Sequence, residues 1–276
     1  MAVVAFASLS GTPGVTGATL AAAVHWPRPV LAVEADISNV GATLTGFFRS
    51  NLAVNAGMHQ VSLAQSRGAL GVDALLDPAY AISIAVHELP PVAQMPIPSL
   101  PAGHRMWVIP GYRDLQTVDG VTSVWTRLPG IFEQLNDRGI DVLVDLGRLG
   151  RGDIRLPIID GADQVVLLAS TTMSDLNRLH KRLRLPDLED RVSGYGRSKF
   201  SLLLTRAPYE AVGPAEFEKA ILPVLGTVAF DPEGAAVFAQ GREDRKPARN
   251  RYRSDLRQAV SALGDRLAPA DERRVG

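Results

Sequence analysis

Near the amino terminus, a glycine-rich stretch between an apolar run and an alanine-rich segment has the spacing of a phosphate-binding loop. Such a loop directs backbone N–H groups at an anion, uses glycines to let the main chain approach it, and ends in a lysine and a Ser or Thr. The stretch therefore predicts a phosphate site. On the pattern G-x-x-x-x-G-K-[ST], the positions expected to face the anion are Gly11, Thr12, Gly14, Val15, Thr16, Gly17, Ala18 and Thr19.

Two residues that supply chemistry in such loops are absent from this one. The lysine position holds Gly17 and the magnesium position holds Ala18, although Thr19 follows directly and offers a hydroxyl for a metal ion. Removing one preorganised donor from developing charge costs about 3–4 kcal/mol, so hydrolysis by the usual route is disfavoured. The alternative is that the stretch is only a turn between a strand and a helix, with Gly and Pro chosen for backbone geometry.

Carboxylates stand at the ends of two further apolar runs. Glu34 and Asp36 end the run in VLAVEAD, and Asp145 ends the run in VLVDL. If these runs are neighbouring parallel strands, their carboxyl ends meet at the edge where ligands of open α/β folds bind. Asp145 would then hold a metal-bound water. The alternatives are that Asp145 caps the next segment and that Glu34 and Asp36 are solvated loop residues.

The composition limits the class of protein. The 276 residues carry 29 basic and 29 acidic side chains, so the overall charge attracts neither nucleic acid nor a membrane. There is no cysteine, and five scattered histidines disfavour a zinc or Ser-His-Asp centre. The first 180 residues contain no lysine, so none there replaces the lysine of the loop. We expect a cytoplasmic protein, because the first apolar run ends at Gly11, far short of the ~20 residues of a membrane span.

Short apolar, β-branched runs alternate with longer segments of helical period. Because parallel strands joined by right-handed crossovers are covered on both faces, the alternation predicts an α/β fold with a doubly wound, mainly parallel sheet of about seven strands and helices on both faces. The predicted strands are 3–8, 30–35, 106–109, 142–146, 164–169, 200–205 and 227–230. The predicted helices are 19–25, 78–87, 121–137, 173–184, 214–222 and 233–239.

The order of these features resembles the ParA/MinD family of deviant Walker A ATPases, which are SIMIBI-class P-loop proteins. It is most similar to actinobacterial members in which GSPGVT-like loops, VEAD and DLGR recur, and the likeness spans roughly residues 1–241. The resemblance implies ATP or ADP and Mg²⁺ as cofactors. It makes Thr19 and Asp145 the metal-binding residues, and Asp36 and Asp145 the catalytic ones, with Asp36 near the position that orients water.

The same resemblance implies a base-binding region and a dimer. Adenine would lie against Arg206, which follows the sixth predicted strand, and against the turn of Asp231 and Pro232. In the family, dimers sandwich two ATP molecules, and a signature lysine reaches the partner's phosphate. Thr12 stands at that position, so both family lysines are missing and the loop is degenerate. An arginine would have to substitute, and the candidates are Arg148, Arg151 and Arg206.

A basic segment follows the region of resemblance. We expect a nucleotide-binding-fold domain at 1–241 and a basic C-terminal helix and tail at 242–276. Family members bind DNA through basic surfaces or membranes through a C-terminal amphipathic helix, but this helix lacks the Trp and Phe that favour a membrane. The alternative is a helix that docks its Leu256, Val260 and Leu263 stripe against the sheet. Non-specific DNA contact would use Arg245, Lys246, Arg249, Arg251 and Arg253.

Two functions of different class are consistent with these features. The first is a positioning or partitioning protein for a plasmid or chromosome, a septum regulator or pilus machinery, with nucleotide binding and with weak or lost ATP hydrolysis. The second is a non-catalytic scaffold of the same fold that acts through protein–protein contacts alone. Both imply a homodimer and a protein partner or cargo. The missing lysines favour the second, whereas Asp36 and Asp145 favour the first.

Overall fold

The computed structural model describes residues 2–11, 14–50, 55–85, 105–114, 122–196, 198–209 and 211–268. Within these ranges the strands are β1 (Val3–Ser8), β2 (Val30–Glu34), β3 (Ile82–Ala85), β4 (Arg105–Ile109), β5 (Asp141–Arg148), β6 (Gln164–Ser170), β7 (Phe200–Thr205) and β8 (Val224–Val228). They form one sheet in the order β3-β4-β2-β5-β1-β6-β7-β8. Every neighbouring pair is parallel except β3 and β4 at one edge. The predicted mainly parallel sheet of about seven strands is confirmed.

Nine α-helices of the described chain surround the sheet. They are α1 (Val15–Val24), α2 (Met58–Ser66), α3 (Thr122–Gln134), α4 (Leu156–Gly161), α5 (Met173–Arg182), α6 (Pro186–Tyr195), α7 (Pro214–Ala220), α8 (Pro232–Gln240) and α9 (Arg251–Leu267). A π-helical turn at Thr43–Phe47 follows β2. None of the described helices combines the length and the apolar character needed to cross a bilayer.

The sheet carries a separate apolar core on each face. Successive side chains of a strand point to opposite faces. Accordingly, Val3 and Ala5 of β1 lie in a core with residues from α2 to α7, whereas Val4 and Phe6 lie in a second core with α1, α8 and α9. The predicted double winding, with helices on both faces, is confirmed.

The last helix is part of the second core. The α9 side chains Tyr252, Leu256, Val260 and Leu263 are buried there together with residues of α1 and α8. Asn250 caps the helix, because its side-chain oxygen accepts the backbone N–H of Arg253 at 2.9 Å. The docking of this apolar stripe, predicted as the alternative to a free basic helix, is confirmed. The predicted boundary at 241 falls between α8 and α9, which share this core.

Two elements at the edges of the sheet differ from the prediction. The sequence predicts a helix at 78–87, but Ile82–Ala85 form β3 and pair with β4, with Ile82 opposite Val108; residues 86 and 87 lie outside the described residues. A pairing partner that is 20 or more residues away leaves no local pattern, so the helix predicted for this short segment is wrong. At the opposite edge, β8 begins at Val224, three residues before the predicted start, because it aligns with Leu202 of β7.

Candidate functional site

The loop after β1 ends where α1 begins, at the carboxyl edge of the sheet. Gly14 precedes the helix with φ of 105°, in the left-handed region that glycine adopts at low cost. The first intrahelical bond runs from the Ala18 N–H to the Gly14 carbonyl at 2.8 Å. The N–H groups of the first turn therefore have no acceptor within the helix, as at every helix start. Thr12, with its neighbour Pro13, lies outside the described residues.

Asp145 of β5 is buried beside this helix start. One carboxylate oxygen, Oδ1, accepts the Gly147 N–H at 2.8 Å, while Oδ2 is enclosed without a hydrogen-bond partner among the described residues. Burial raises the pKa of Asp145 to about 7, against the lowering effect of the Thr16 hydroxyl. The charges of Glu34 and Asp36 raise the pKa further. Buried polar atoms without a partner are uncommon in folded proteins, and an ion or ligand at that position is one explanation of such an atom.

Glu34 and Asp36 stand at the end of the neighbouring strand β2 and are both buried. Glu34 accepts the N–H groups of Ala42 at 2.7 Å, Thr43 at 3.0 Å and Gly111 at 2.8 Å. Burial raises the pKa of Glu34, although these bonds lower it. The Glu34 carboxylate thus ties the end of β2 to the π-helical turn and to the segment after β4, which is a structural role.

The other β2 carboxylate shapes the turn that follows the strand. Asp36 Oδ1 accepts the N–H of Ser38 at 2.8 Å and that of Asn39 at 3.3 Å. Its charge acts on Asp145, so the two predicted catalytic carboxylates are neighbours at one edge of the sheet. The prediction that both strands deliver their carboxylates to the same crevice is consistent with this arrangement.

The hydroxyl that lowers the pKa of Asp145 comes from Thr16, at the position where the loop pattern has its last glycine. Thr19 is also buried, and its hydroxyl donates to the Val15 carbonyl one turn earlier at 3.0 Å. The Thr19 proton is therefore used within the helix. The motif position for the metal holds Ala18, and the sequence predicts the next residue, Thr19, as the metal-binding hydroxyl, whereas the hydroxyl that acts on the pKa of Asp145 is that of Thr16.

The position of the missing lysine faces another helix. A β-carbon on Gly17 would lie 3.4 Å from Cβ of Ala239 in α8 and 3.8 Å from the Tyr252 hydroxyl in α9. Glycine at this position therefore allows α1 and α8 to pack closely. The neighbouring Val15 and Ala18 are buried in the same core. Gly11 begins the loop with φ of 81°, and its N–H donates to the Ser8 hydroxyl at 3.1 Å.

An apolar cavity of about 270 Å³ opens beside the start of α1. Its walls come from α1, from the ends of β7 and β8, and from α8 and α9. The sequence predicts the loop and the turn after β8 as parts of the site, but it does not predict that Tyr252 and Leu256 line the cavity. The helical period of α9 indicates that one face of the helix is buried, but it does not indicate which residues that face contacts. Residues that line the cavity include Gly14, Ala18, Thr205, Phe230, Tyr252 and Leu256.

The residues predicted to contact adenine lie at or next to this cavity. Asp231 and Pro232 line it and also start α8, where the Asp231 side chain accepts the Gly234 N–H at 2.9 Å. Arg206 is exposed and follows the lining residue Thr205, and its N–H donates to the Val228 carbonyl at 2.8 Å. The loop and the turn after β8, which are more than 200 residues apart in sequence, thus meet at one cavity.

The basic segment before α9 divides into buried and exposed side chains. Arg253 was predicted to contact DNA, but it is buried, ion-paired with Asp244 at 3.0 Å, and stacked over the Phe238 ring at 5.6 Å from its centroid. This prediction is wrong for Arg253, because the helix turns it into the core. The remaining members of the set are exposed: Arg245, Lys246, Arg249 and Arg251.

The fold and the site define the class of protein. A doubly wound α/β sheet whose first strand leads through a glycine-containing loop into a helix at the carboxyl edge is a P-loop NTPase-like fold. More particularly, it is the ParA/MinD-like version of that fold, as three solved structures demonstrate.

The solved structures align with this chain over nearly its whole length. The septum site-determining protein MinD from Pyrococcus horikoshii, solved with Mg-ADP, is 15% identical with a TM-score of 0.64, covering 99% of this chain and 98% of that one. The cell division ATPase MinD from Pyrococcus furiosus is 17% identical with a TM-score of 0.66, covering 97% and 99%. A ParA family ATPase from Chlorobium tepidum is 15% identical with a TM-score of 0.65, covering 95% and 98%. No protein-family model and no curated protein sequence matches the chain.

Proposed function

We propose that this protein is a nucleotide-binding, ParA/MinD-like positioning or partitioning protein of the cytoplasm in which ATP hydrolysis is weak or lost. The observation that carries the proposal is the buried Asp145 carboxylate, whose Oδ2 has no hydrogen-bond partner among the described residues and whose pKa the Thr16 hydroxyl of α1 lowers. The apolar cavity opens beside the start of the same helix. A carboxylate and a hydroxyl at this position suit a hydrated Mg²⁺, and the apolar walls suit a purine.

The residues present fit Mg-ATP or Mg-ADP at this site. The base and ribose would occupy the cavity near Asp231, Pro232 and Thr205, and the phosphates would meet the first-turn N–H groups of α1. Thr16 and Asp145 would hold the metal ion, with Thr19 one turn behind. Bound Mg²⁺ would neutralise part of the phosphate charge. Its two positive charges would also relieve the repulsion among Glu34, Asp36 and Asp145, so nucleotide binding should require the metal.

The loop residues argue against efficient turnover. With Gly17 and Ala18 in place of lysine and hydroxyl, the loop lacks the donors that stabilise charge on the transferred phosphoryl group, and each such donor is worth roughly 100- to 1000-fold in rate. Asp36 bonds to the backbone of its own turn, which positions its carboxylate. In this proposal, Asp36 and Asp145 retain the places of catalytic carboxylates, and nucleotide binding acts mainly as a conformational signal.

Calorimetric titration with ATP and ADP, in Mg²⁺ or in EDTA, tests the proposal. We expect wild-type protein to bind both nucleotides in Mg²⁺ and at least about 10-fold more weakly in EDTA, and Asp145→Asn to lose this metal dependence. If wild type binds neither nucleotide under either condition, the proposal fails. Tight binding of ATP together with rapid release of phosphate would contradict the proposal that hydrolysis is weak or lost.

A lysine restored at the motif position provides a further test. Because a side chain on Gly17 points at Ala239 of α8, we expect Gly17→Lys to hydrolyse ATP no faster than its control Gly17→Ala, which adds the same β-carbon without the ammonium group. A rise of 10-fold or more over Gly17→Ala in phosphate-release assays would show that lysine alone was missing.

A homodimer that also binds a protein partner or cargo is part of the proposal. Four large apolar side chains are exposed in the segments after β5, β6, β7 and β8, all on the carboxyl edge that holds the site: Ile154, Met173, Tyr209 and Phe230. Exposed apolar residues gathered on one edge are typical of an interface. Sedimentation velocity with and without Mg-ATP tests this, and Tyr209→Ser combined with Phe230→Ser should keep the protein monomeric.

The scaffold function is the second candidate, and the absence of both loop lysines favours it. It predicts the same fold and partner contacts without any response to nucleotide. The scaffold function would be favoured if wild type and Asp145→Asn captured a partner equally well in a preparation that binds no ATP. DNA contact through Arg245, Lys246, Arg249 and Arg251 is a separate part of the positioning proposal. A salt-dependent affinity for duplex DNA that falls in Arg249→Ala/Arg251→Ala would support it.

A further inference from the structure

The side chain of Arg148 lies against the first glycine of the loop. Its Nε and Cζ are each 3.6 Å from the point that a β-carbon on Gly11 would occupy. The contact follows from the sheet, because β5 pairs with β1 and Arg148 stands opposite Ser8, the last residue before the loop. The N–H of Leu149 donates to the Ser8 carbonyl at 3.0 Å and continues the pairing past the strands. A guanidinium is therefore present at the loop.

The backbone of Arg148 is held from behind by a second arginine. Arg155 is fully buried and paired with Asp153 at 2.8 Å. Its guanidinium donates to the carbonyls of Arg148 and Ala35, each at 2.9 Å, and to that of Leu146. Three backbone carbonyls at the ends of β2 and β5 thus accept hydrogen bonds from the same buried guanidinium. This arrangement fixes the base of the Arg148 side chain, while the side chain itself is exposed to solvent.

The other two candidate arginines have weaker connections to the loop. Arg206 follows β7, which is separated from β1 by β6. Neighbouring strands are about 4.8 Å apart, so Arg206 starts about 10 Å from the loop strand. Arg151 lies in a turn three residues beyond Arg148, after the pairing with β1 has ended. Arg148 is the candidate that the sheet itself aligns with the loop.

We infer that Arg148 supplies the positive charge of the phosphate site that a lysine supplies in an ordinary loop of this kind. The inference deepens the proposed function and rests on it. Its ligand is the phosphate chain of a nucleoside di- or triphosphate bound together with a divalent cation. The guanidinium presents parallel N–H donors that match two phosphate oxygens, and the first-turn N–H groups of α1 are further donors for the same phosphates. The partnerless Oδ2 of Asp145 is the cation's ligand in the same site.

Substitution of Arg148 tests the inference, with Arg151→Ala as the matched control that removes the same charge from the same segment. The affinities of Mg-ATP, Mg-pyrophosphate and adenosine are measured by calorimetry on the full chain. We expect Arg148→Ala to weaken Mg-ATP and Mg-pyrophosphate by roughly 10- to 100-fold, because a charge-assisted bond is lost. Adenosine, which has no phosphate, should bind Arg148→Ala within about 2-fold of wild type. The affinity of Arg148→Lys for Mg-ATP and Mg-pyrophosphate should lie between those of wild type and Arg148→Ala, since lysine keeps the positive charge but lacks the parallel N–H donors of the guanidinium.

The outcomes separate this inference from the proposed function. If wild type binds Mg-ATP and Arg148→Ala binds it equally well, Arg148 is not the phosphate cation, while nucleotide binding itself stands. An equal loss for Arg151→Ala would indicate a general charge effect and also overturn the inference. If wild type binds neither Mg-ATP nor Mg-pyrophosphate, the proposed function fails and the inference fails with it. Circular dichroism melting of each variant detects misfolding, and adenosine binding confirms an intact cavity.

Discussion

Gly147 lies directly against the carboxylate of Asp36, so that a β-carbon on Gly147 would overlap the Asp36 carboxyl group. Gly147 also has φ of 54°, and its N–H donates to Asp145. One glycine on β5 therefore contacts both predicted catalytic carboxylates. Its lack of a side chain is what lets the ends of β2 and β5 place Asp36 and Asp145 side by side.

Replacing this glycine should displace Asp36. We expect Gly147→Ala to lower the free energy of unfolding by about 1–3 kcal/mol for the overlap, in addition to about 1–2 kcal/mol for the left-handed backbone. Urea denaturation followed by circular dichroism measures the change. Gly139→Ala is the matched control, because Gly139 has φ of 65° and open space around its α-carbon. Equal losses in the two variants would mean that Asp36 moves aside freely.

Removing the charge of Asp145 should stabilise the protein in the absence of divalent cations. Burial raises the pKa of Asp145 to about 7, so above that pH the folded state must hold an ionised carboxylate with one partnerless oxygen. We expect Asp145→Asn to gain about 1–3 kcal/mol at pH 8 in EDTA. Saturating Mg²⁺ should reduce this difference in the free energy of unfolding, because it stabilises wild type and not the variant. A variant less stable than wild type at pH 8 would show that the carboxylate serves the fold and not a ligand.

Acid should weaken the fold through His25 at the end of α1. Burial, followed by the charges of Arg253 and Arg257, lowers the pKa of His25 from 6.5 to about 4. Between these two pKa values the His25 side chain binds a proton more readily in the unfolded chain than in the folded protein. The contribution of His25 to the free energy of unfolding is therefore fully present above pH 6.5 and is lost as the pH falls towards 4. The loss from this group is about 2–3 kcal/mol.

The comparison with His25→Leu isolates that contribution. Leucine cannot bind a proton. The free energy of unfolding of the His25→Leu variant should therefore fall less between pH 6.5 and 4 than that of wild type, and the difference between the two falls is the contribution of His25. Denaturant titrations at several pH values give both curves. Parallel curves for the two proteins would assign the acid sensitivity to other groups.

The α9 stripe should contribute to overall stability, and with it to the cavity that we propose holds the nucleotide. Leu256 is buried in the second core and lines the cavity, so Leu256→Ala should cost about 2–5 kcal/mol. Arg257, the next residue, is exposed, and Arg257→Ala should stay within about 0.5 kcal/mol of wild type at pH 7. Similar melting temperatures for the two variants would show that α9 is dispensable. Because α9 shares the core, exposed arginines are a better test of DNA binding than deletion of the helix.

The parallel strands were predictable because they are buried on both faces. A strand such as β1 or β6 must be apolar at nearly every residue, and this signal is local and strong. The edge strand β3 carries no such signal, because its position depends on pairing with β4. The shared edge for Asp36 and Asp145 also followed from sequence, since parallel strands joined by crossovers end on the same side of the sheet.

The sequence by itself determined the α/β class, the loop without lysine, and the carboxylates at the strand ends, because each is encoded within a few neighbouring residues. Only the tertiary structure decided that the Thr16 hydroxyl acts on Asp145 while that of Thr19 bonds within α1, that Arg253 is buried, and that Arg148 lies on Gly11. These relationships depend on the rotation of α1, on the docking of α9 and on the pairing of β1 with β5. Contacts between residues more than a hundred positions apart are set by packing, which no local pattern records.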